Sequence, residues 1–405
     1  MFYIFNNDVY LVNGAFRSCI YDFNSSKLYS INSTLADKLT LSDNGLLSPN
    51  EIDDELKIVF EKFLKLGVLS ISENPSFNNI SDIKETDNKI EFAWIEITNQ
   101  CNLRCQHCYN ESNPQCNISM SLEDFIHATE CIQKLGIKRI QIIGGEPFIN
   151  KELKNMLYYI NGKFESVEIF TNGTLISDEW VDYIAEHKLH IALSVYSYVP
   201  EEHDKVTKIS GSWEKTNKTI SKLKSKQIKY RVCNVLMNCS ELGMKNTDLY
   251  ELSKTKDVVR MAGRANFFLL SDDLIKKRLI TKESFKFPIK KKICKKYISG
   301  HNCFKSRIYI SADMNVYPCV MERRLKHCNI KNNKEIILDE SIRNFTKERI
   351  SGCCLCEYRY ICHDCRPNSL SGNIYEKPWY CTYEPLSGKW IDPDIFIKKL
   401  RERWE

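Results

Sequence analysis

Between residues 90 and 263 the sequence alternates strand-like apolar runs with segments of helical period, and this alternation constrains the fold more than any other feature. Strand patterns occupy 90–98, 139–144, 166–172, 190–196, 230–237 and 257–263. Helical patterns fill 121–135, 151–161, 177–187, 213–226 and 246–254. Repeated strand–helix–strand units close by right-handed crossovers, which predicts a parallel sheet with helices outside it. Six units rather than eight make the expected fold α/β, a partial (β/α)6 TIM-like barrel open on one side.

The flanks read differently. Short β-like runs at 2–5, 9–12, 16–22 and 27–31 are separated by Asn-, Gly- and Ser-rich turn signals. A helix is expected after Asn32, capped by Asn32 or Ser33. A second follows Ser48-Pro49, with Ile52, Leu56, Val59, Phe60, Phe63 and Leu64 at helical spacing. Gly67 ends it and VLSI returns as a strand, so residues 1–75 read as a winged-helix-like unit. The polar stretch to residue 89 reads as a linker (76–89), and 90–285 as the barrel core. From 286 to 405 regular patterning fades into Cys-rich loops, ending in an amphipathic helix over 393–404.

The chain carries 18 cysteines in 405 residues, and at that length a core needs no disulfide staples. The start, MFYIFNNDVYLV, lacks the basic and apolar regions of a signal peptide, and no apolar run reaches membrane-spanning length. A cytoplasmic location is expected, where thiols stay reduced and clustered cysteines read as metal ligands. Composition (43% hydrophobic, 27% charged) excludes wholesale disorder, and a net charge of +6 is too mild to indicate nucleic acid. The first strand runs into TNQCNLRCQHCYN, where Cys101, Cys105 and Cys108 are spaced C-x3-C-x2-C. Three thiolates on one loop can hold three irons of a cubane and leave the fourth open to a ligand. The rival reading is half of a zinc site.

With this loop, three further motifs follow on consecutive strands: Gly144-Gly145-Glu146-Pro147, Asn172 in TNGT, and Ser194 in LSVYS. In this order they resemble the radical S-adenosylmethionine (SAM) superfamily across residues 90–265. All sit at C-terminal strand ends, where barrel active sites form. The resemblance implies that Cys101, Cys105 and Cys108 hold a SAM-binding [4Fe-4S] cluster. It also implies cofactor contacts from Gly144, Gly145, Glu146, Pro147, Asn172 and Ser194. Arg231 is a candidate for the SAM carboxylate, and His107 stands where the family has an aromatic over adenine. The implied chemistry is reductive cleavage of SAM to a 5′-deoxyadenosyl radical, the cofactor carrying the radical step. No general base is assigned.

A second group of thiols comprises Cys294, Cys303, Cys319, Cys353, Cys356, Cys362, Cys365 and Cys381. Their order over 290–386 resembles the SPASM extension of radical SAM enzymes. The resemblance implies two auxiliary [4Fe-4S] clusters, making three in all. Cys294, Cys303, Cys319 and Cys365 would hold the first, and Cys353, Cys356, Cys362 and Cys381 the second. Two alternatives stay open: Cys354 could replace Cys353, and without Cys294 the first cluster keeps an open iron. Cys19, Cys131 and Cys233 read as core thiols, and Cys116, Cys239 and Cys328 as ligands or bystanders, with bystanders favoured.

Residues 1–75 are similar to the PqqD-like recognition element of peptide maturases, which binds a precursor leader by strand addition. VNGAFRSCIYDFNSSKLYSI and the ending CEYRYICHDCRP…KPWYCTYEPLSGKW are similar to maturases of the grasp-with-spasm type. The implied function is a maturase of ribosomally made peptides, of the sactipeptide, ranthipeptide or grasp-with-spasm kind, forming a Cys thioether. Its implied partners are a precursor peptide and a flavodoxin- or ferredoxin-type electron donor, with no nucleic acid and no membrane. A carbon–carbon or carbon–oxygen crosslink is the runner-up. A sulfatase-maturing, formylglycine-forming enzyme would carry Asp after the cysteine matching Cys319, where Val320 stands. A zinc-bound nucleic-acid module would explain the cysteines but not GGEP on a barrel.

Overall fold

The computed structural model describes residues 1–85, 89–238, 254–369 and 372–404, with the side chains of 254–256 left aside. The core is a nine-stranded sheet. Six of its parallel strands run in chain order: β6 (Phe92–Glu96), β7 (Arg139–Ile143), β8 (Ser166–Thr171), β9 (His190–Ser194), β10 (Tyr230–Leu236) and β11 (Lys254–Val258). Register places Ile95 beside Ile142, Ile142 beside Ile169 and Ile169 beside Ile191. These isoleucines are buried, with Phe125, Met156, Ile184 and Leu223 of the covering helices packed in the same core. Four crossovers carry helices at the expected places: α3 (Leu122–Lys134), α4 (Leu153–Ile160), α5 (Asp178–Glu186) and α7 (Ser212–Ser225).

Three features depart from expectation. The last strand is 254–258, earlier than 257–263, and the expected helix over 246–254 and Cys239 fall mostly or wholly outside the described residues. A further helix, α6 (Pro200–Thr207), precedes α7; its sequence PEEHDKVT is too charged to show an apolar stripe. The region expected as loops beyond 286 returns to the core. Strand β12 (Arg307–Ile310) pairs in parallel with β6, and β13 (Asn315–Tyr317) and β14 (Cys328–Asn329) continue antiparallel. These strands are two to four residues long, too short for periodicity to register.

The N-terminal unit has a three-stranded antiparallel sheet, β2 (Val9–Asn13), β3 (Arg17–Asp22) and β4 (Lys27–Asn32), with β4 at one edge. β1 (Phe2–Phe5) pairs with the returning β5 (Leu69–Ser72). Asn32 caps α1 (Ser33–Asp43) by accepting from the Leu35 amide at 2.8 Å. Asp53 does the same for α2 (Asp54–Lys65), whose Phe60 and Phe63 face the core. The expected linker over 76–89 is packed for much of its length. Ile80 and Ile83 are buried against Tyr10 and Val12, and the Asn78 side chain donates to the carbonyls of Phe5 and Asn6.

This unit also docks onto the C-terminal loops. Tyr21 Oη donates to the Glu357 carbonyl at 2.7 Å, the Ala15 amide to Leu355 O at 2.8 Å, and Arg359 Nη1 to Asn13 O at 2.7 Å. Gly14 allows the approach, since a Cβ there would lie 2.9 Å from the Glu357 nitrogen. Among the described residues no helix is long and apolar enough to cross a membrane.

Candidate active site

At the C-terminal ends of the parallel strands lies a cavity of about 270 Å³. Cys101, Cys105 and Cys108 line it on one side, Gly144 and Gly145 at the end of β7, Asn172 after β8 and Ser194 closing β9. His107 lines it too. The loop, the glycine turn and the two polar strand ends therefore converge on one space.

Close backbone packing builds this wall. The Gly145 amide donates to Thr98 O at 2.7 Å and the Glu146 amide to Gln100 O at 2.8 Å. A Cβ on Gly144 would lie 2.7 Å from Thr98 O, and one on Gly145 only 2.3 Å from Gln100 O. Both positions need glycine for that reason. The cysteine loop is held from its other side. The Arg104 and Gln106 amides donate to Thr207 and Val206 carbonyls of α6, each at 3.0 Å. Arg264 donates to the carbonyls of Cys105 at 3.0 Å and Ser112 at 2.6 Å. Gly263, at φ +56°, lets the chain pass where a Cβ would meet Cys108 O at 2.5 Å.

Burial pushes the Cys105 thiol up to about 12 and raises Cys101 further, and a bound cation would oppose this by favouring the thiolates. N–H groups already point at Cys101: Leu103 N at 3.4 Å and Asn172 Nδ2 at 3.9 Å. Such donors suit a metal-bound thiolate. Burial lowers His107 to about 4, leaving a neutral imidazole whose ring stands 4.7 Å from Tyr196, edge to face.

Three expected contacts sit elsewhere. Glu146 is buried beneath the cavity, accepting from Thr171 Oγ1 at 2.7 Å, the Asn172 amide at 2.8 Å and the Phe148 amide at 3.2 Å. It ties the β7 turn to the β8 turn. Burial raises it to about 7 against those hydrogen bonds. Pro147 opens the short turn beside it and is buried. Arg231 lies near the start of β10, its guanidinium forked onto Glu168 with both bonds at 2.8 Å, away from the cavity. A strand residue near the wrong end of β10 cannot reach a site at its C-terminal end.

Other cavity residues carried no sequence signal. Tyr196, two residues past Ser194, hydrogen-bonds Ser194 and Cys105. Tyr109, Asp257, Arg260 and Met321 complete the wall. Met321 and Arg260 connect the cavity to the second thiol group. Cys319 is pushed up to about 12 by burial, with Cys303 and Cys365 acting on it and Arg260 opposing them. Cys303, Cys319 and Cys365 thus gather beside the cavity.

Cys294 does not join them. It is fully buried among Tyr10, Cys19, Tyr21 and Tyr358, between the N-terminal unit and the C-terminal loops, and burial alone raises it, to about 12. The remaining four do converge. Cys353, Cys356, Cys362 and Cys381 line one small cavity with Lys347, Lys377 and Arg359. Burial works against the charge on Lys347, yet Cys362, Cys353 and Asp364 raise its pKa. Cys354 does not line this cavity. Among the described residues no three metal-binding side chains converge on a point fit for one ion. Of the other thiols, Cys19 and Cys131 are buried as expected. Cys233 is only half-buried and accepts from Arg231 Nη1 at 2.7 Å. Cys328 stands beside Cys131, and Cys116 lines neither cavity.

Residues 95–240 match the model described as the radical SAM superfamily. This stretch is a radical SAM domain, a family that implies a [4Fe-4S] cluster and SAM. The chain is similar to the antilisterial bacteriocin subtilosin biosynthesis protein AlbA of Bacillus subtilis, 34% identical over 142 residues. That stretch is 35% of this chain and 32% of AlbA, so the match spans about a third of either protein. The fold is shared with Streptococcus suis SuiB bound to S-adenosylmethionine, at 15% identity and TM-score 0.53, over 90% of this chain and 96% of SuiB. It is shared too with anSMEcpe bound to AdoMet and the Kp18Cys peptide, at 18% identity and TM-score 0.51, over 72% and 94%.

Proposed function

We propose that this protein is a radical SAM enzyme that crosslinks a ribosomally made precursor peptide, most directly by a Cys thioether. One observation carries the reading: Arg260 and Met321, in the wall of the cavity lined by Cys101, Cys105, Cys108 and the Gly144-Gly145 turn, adjoin Cys319, on which Cys303 and Cys365 act. In this reading a second thiol set stands beside the place of radical initiation. The similarity to AlbA, a bacteriocin biosynthesis protein, supports a peptide substrate.

When bound, the cluster and SAM supply a 5′-deoxyadenosyl radical. In this reading Cys101, Cys105 and Cys108 hold the SAM-binding cluster and the Gly144-Gly145 backbone meets the methionine end. Asn172 and Ser194 face the ribose, and neutral His107 packs with Tyr196 beside the adenine. Cys303, Cys319 and Cys365 would hold an auxiliary cluster next to the substrate. Cys353, Cys356, Cys362 and Cys381 would hold another, with Lys347 offsetting its negative charge. Residues 1–75 would take the leader along the free edge of β4, and an external donor in the cytoplasm would supply electrons.

Anaerobic purification should give about 12 irons per chain, as three cubanes of four. Dithionite-reduced enzyme should release 5′-deoxyadenosine from SAM. A precursor peptide should lose about two hydrogens in mass per crosslink formed. Replacing Cys101, Cys105 and Cys108 together by Ala should abolish deoxyadenosine formation. Continued SAM cleavage in that variant would refute the assignment.

A further inference from the structure

The cysteine loop has two faces. Cys101, Leu103, Cys105 and His107 look into the SAM cavity. The intervening Arg104 and Gln106 look the other way, into an open groove of about 490 Å³ that they share with Lys208 and Arg264. Three cations therefore ring a groove whose floor is the back of the cluster-binding loop.

Among the described residues these cations lack carboxylate partners. Arg104 and Lys208 have no ion pair or hydrogen-bonded side chain among the described residues. Among the described residues Arg264 meets backbone carbonyls alone, those of Cys105, Glu111 and Ser112. Asp204, one turn before Lys208 on the same helix, spends its carboxylate on the Gly211 amide, Ser212 Oγ and the Trp213 amide. Lys208 itself sits at φ +59° where α6 ends, on the same turn whose carbonyls hold the loop.

Unpaired charge costs little at an exposed surface, but three like charges around one groove set up a field that draws an acidic partner. The inner side of the loop is given over to SAM and substrate, so electrons must arrive from the outer side. We propose that the groove formed by Arg104, Gln106, Lys208 and Arg264 is the docking surface for an acidic one-electron donor protein. Each encounter passes one electron from the reduced donor to the loop's cluster, which goes from its 2+ to its 1+ state while the donor is oxidised by one electron. The inference rests on the radical SAM reading and adds the route of entry.

The test compares wild-type enzyme with the double charge reversal Arg104→Glu/Lys208→Glu, using recombinant bacterial flavodoxin as the donor probe. Calorimetric binding of flavodoxin to the cluster-loaded enzyme should weaken about tenfold, and salt should no longer affect it strongly. The flavodoxin concentration giving half-maximal deoxyadenosine formation should rise by about the same factor. The same variant's dithionite-driven rate is the reference, because a small reductant needs no docking, and the flavodoxin-driven rate should fall further than it does. Unchanged flavodoxin affinity, no flavodoxin binding by wild type, tighter binding of a DNA duplex than of flavodoxin, or a parallel fall in the dithionite rate would each overturn the assignment. If wild type with dithionite cleaves no SAM, the radical SAM reading fails, and the binding arm still reports on the groove by itself.

Discussion

Gly145 has no room for a methyl group, because Gln100 O would lie 2.3 Å from it. Gly145→Ala must therefore push the β7 turn off the strand that carries the cysteine loop. We expect a stability loss of about 1–3 kcal/mol by thermal denaturation, together with loss of SAM binding by calorimetry. The thiols are separable in the same way. Cys353→Ala should remove about four irons per chain, whereas Cys354→Ala and Cys294→Ala should retain the full complement. Iron analysis and the spectrum of the reduced protein check this. Loss of iron in Cys294→Ala would restore Cys294 as a ligand. Conversely, retention in Cys353→Ala would shift the role to its neighbour.

At the scale of elements, the turn from α6 to α7 holds the cysteine loop. Asp204 is its keystone, accepting 2.6–2.9 Å bonds from Gly211 N, Ser212 Oγ and Trp213 N. Burial pushes the Asp204 pKa up, but these donors outweigh it and the net shift is downward. A carboxylate with a depressed pKa stabilises the fold above its unfolded value, ~3.9, and the contribution is lost as pH falls through the lower folded value. Asp204→Ala should cost about 1–3 kcal/mol at neutral pH by leaving three donors without their acceptor. Chemical denaturation at pH 7 and at pH 3 measures this, and the difference from wild type should shrink at the lower pH.

Across the whole molecule, the N-terminal unit and the C-terminal loops share a buried core. Tyr21, Cys19, Cys294, Tyr358, Cys356 and Tyr383 pack together, and Tyr21 and Tyr383 both hydrogen-bond Glu357. The strand pair β12–β6 then joins those loops to the barrel. Tyr21→Phe leaves the buried Glu357 carbonyl without that donor and should cost about 1–3 kcal/mol. Scanning calorimetry should show the N-terminal unit unfolding with the C-terminal loops in wild type. An N-terminal transition that is already separate in wild type would show that this shared core does not couple the two.

The parallel order of β6 to β11, the loop of Cys101, Cys105 and Cys108, and the glycine turn were readable from the chain alone. Their signals are local: apolar runs between helical periods, fixed thiol spacing, and small residues where a strand ends. What the tertiary structure alone decided is which distant groups meet. It set Cys294 apart from Cys303, Cys319 and Cys365, and placed Cys353 rather than Cys354 on the wall shared with Cys356, Cys362 and Cys381. It turned Arg231 and Glu146 away from the cavity and brought Tyr196, Arg260 and Met321 into it. Spacing along a chain specifies candidates for ligation, but loops without periodicity carry no record of direction. Only packing against the barrel and the N-terminal sheet fixes which side chains share a space.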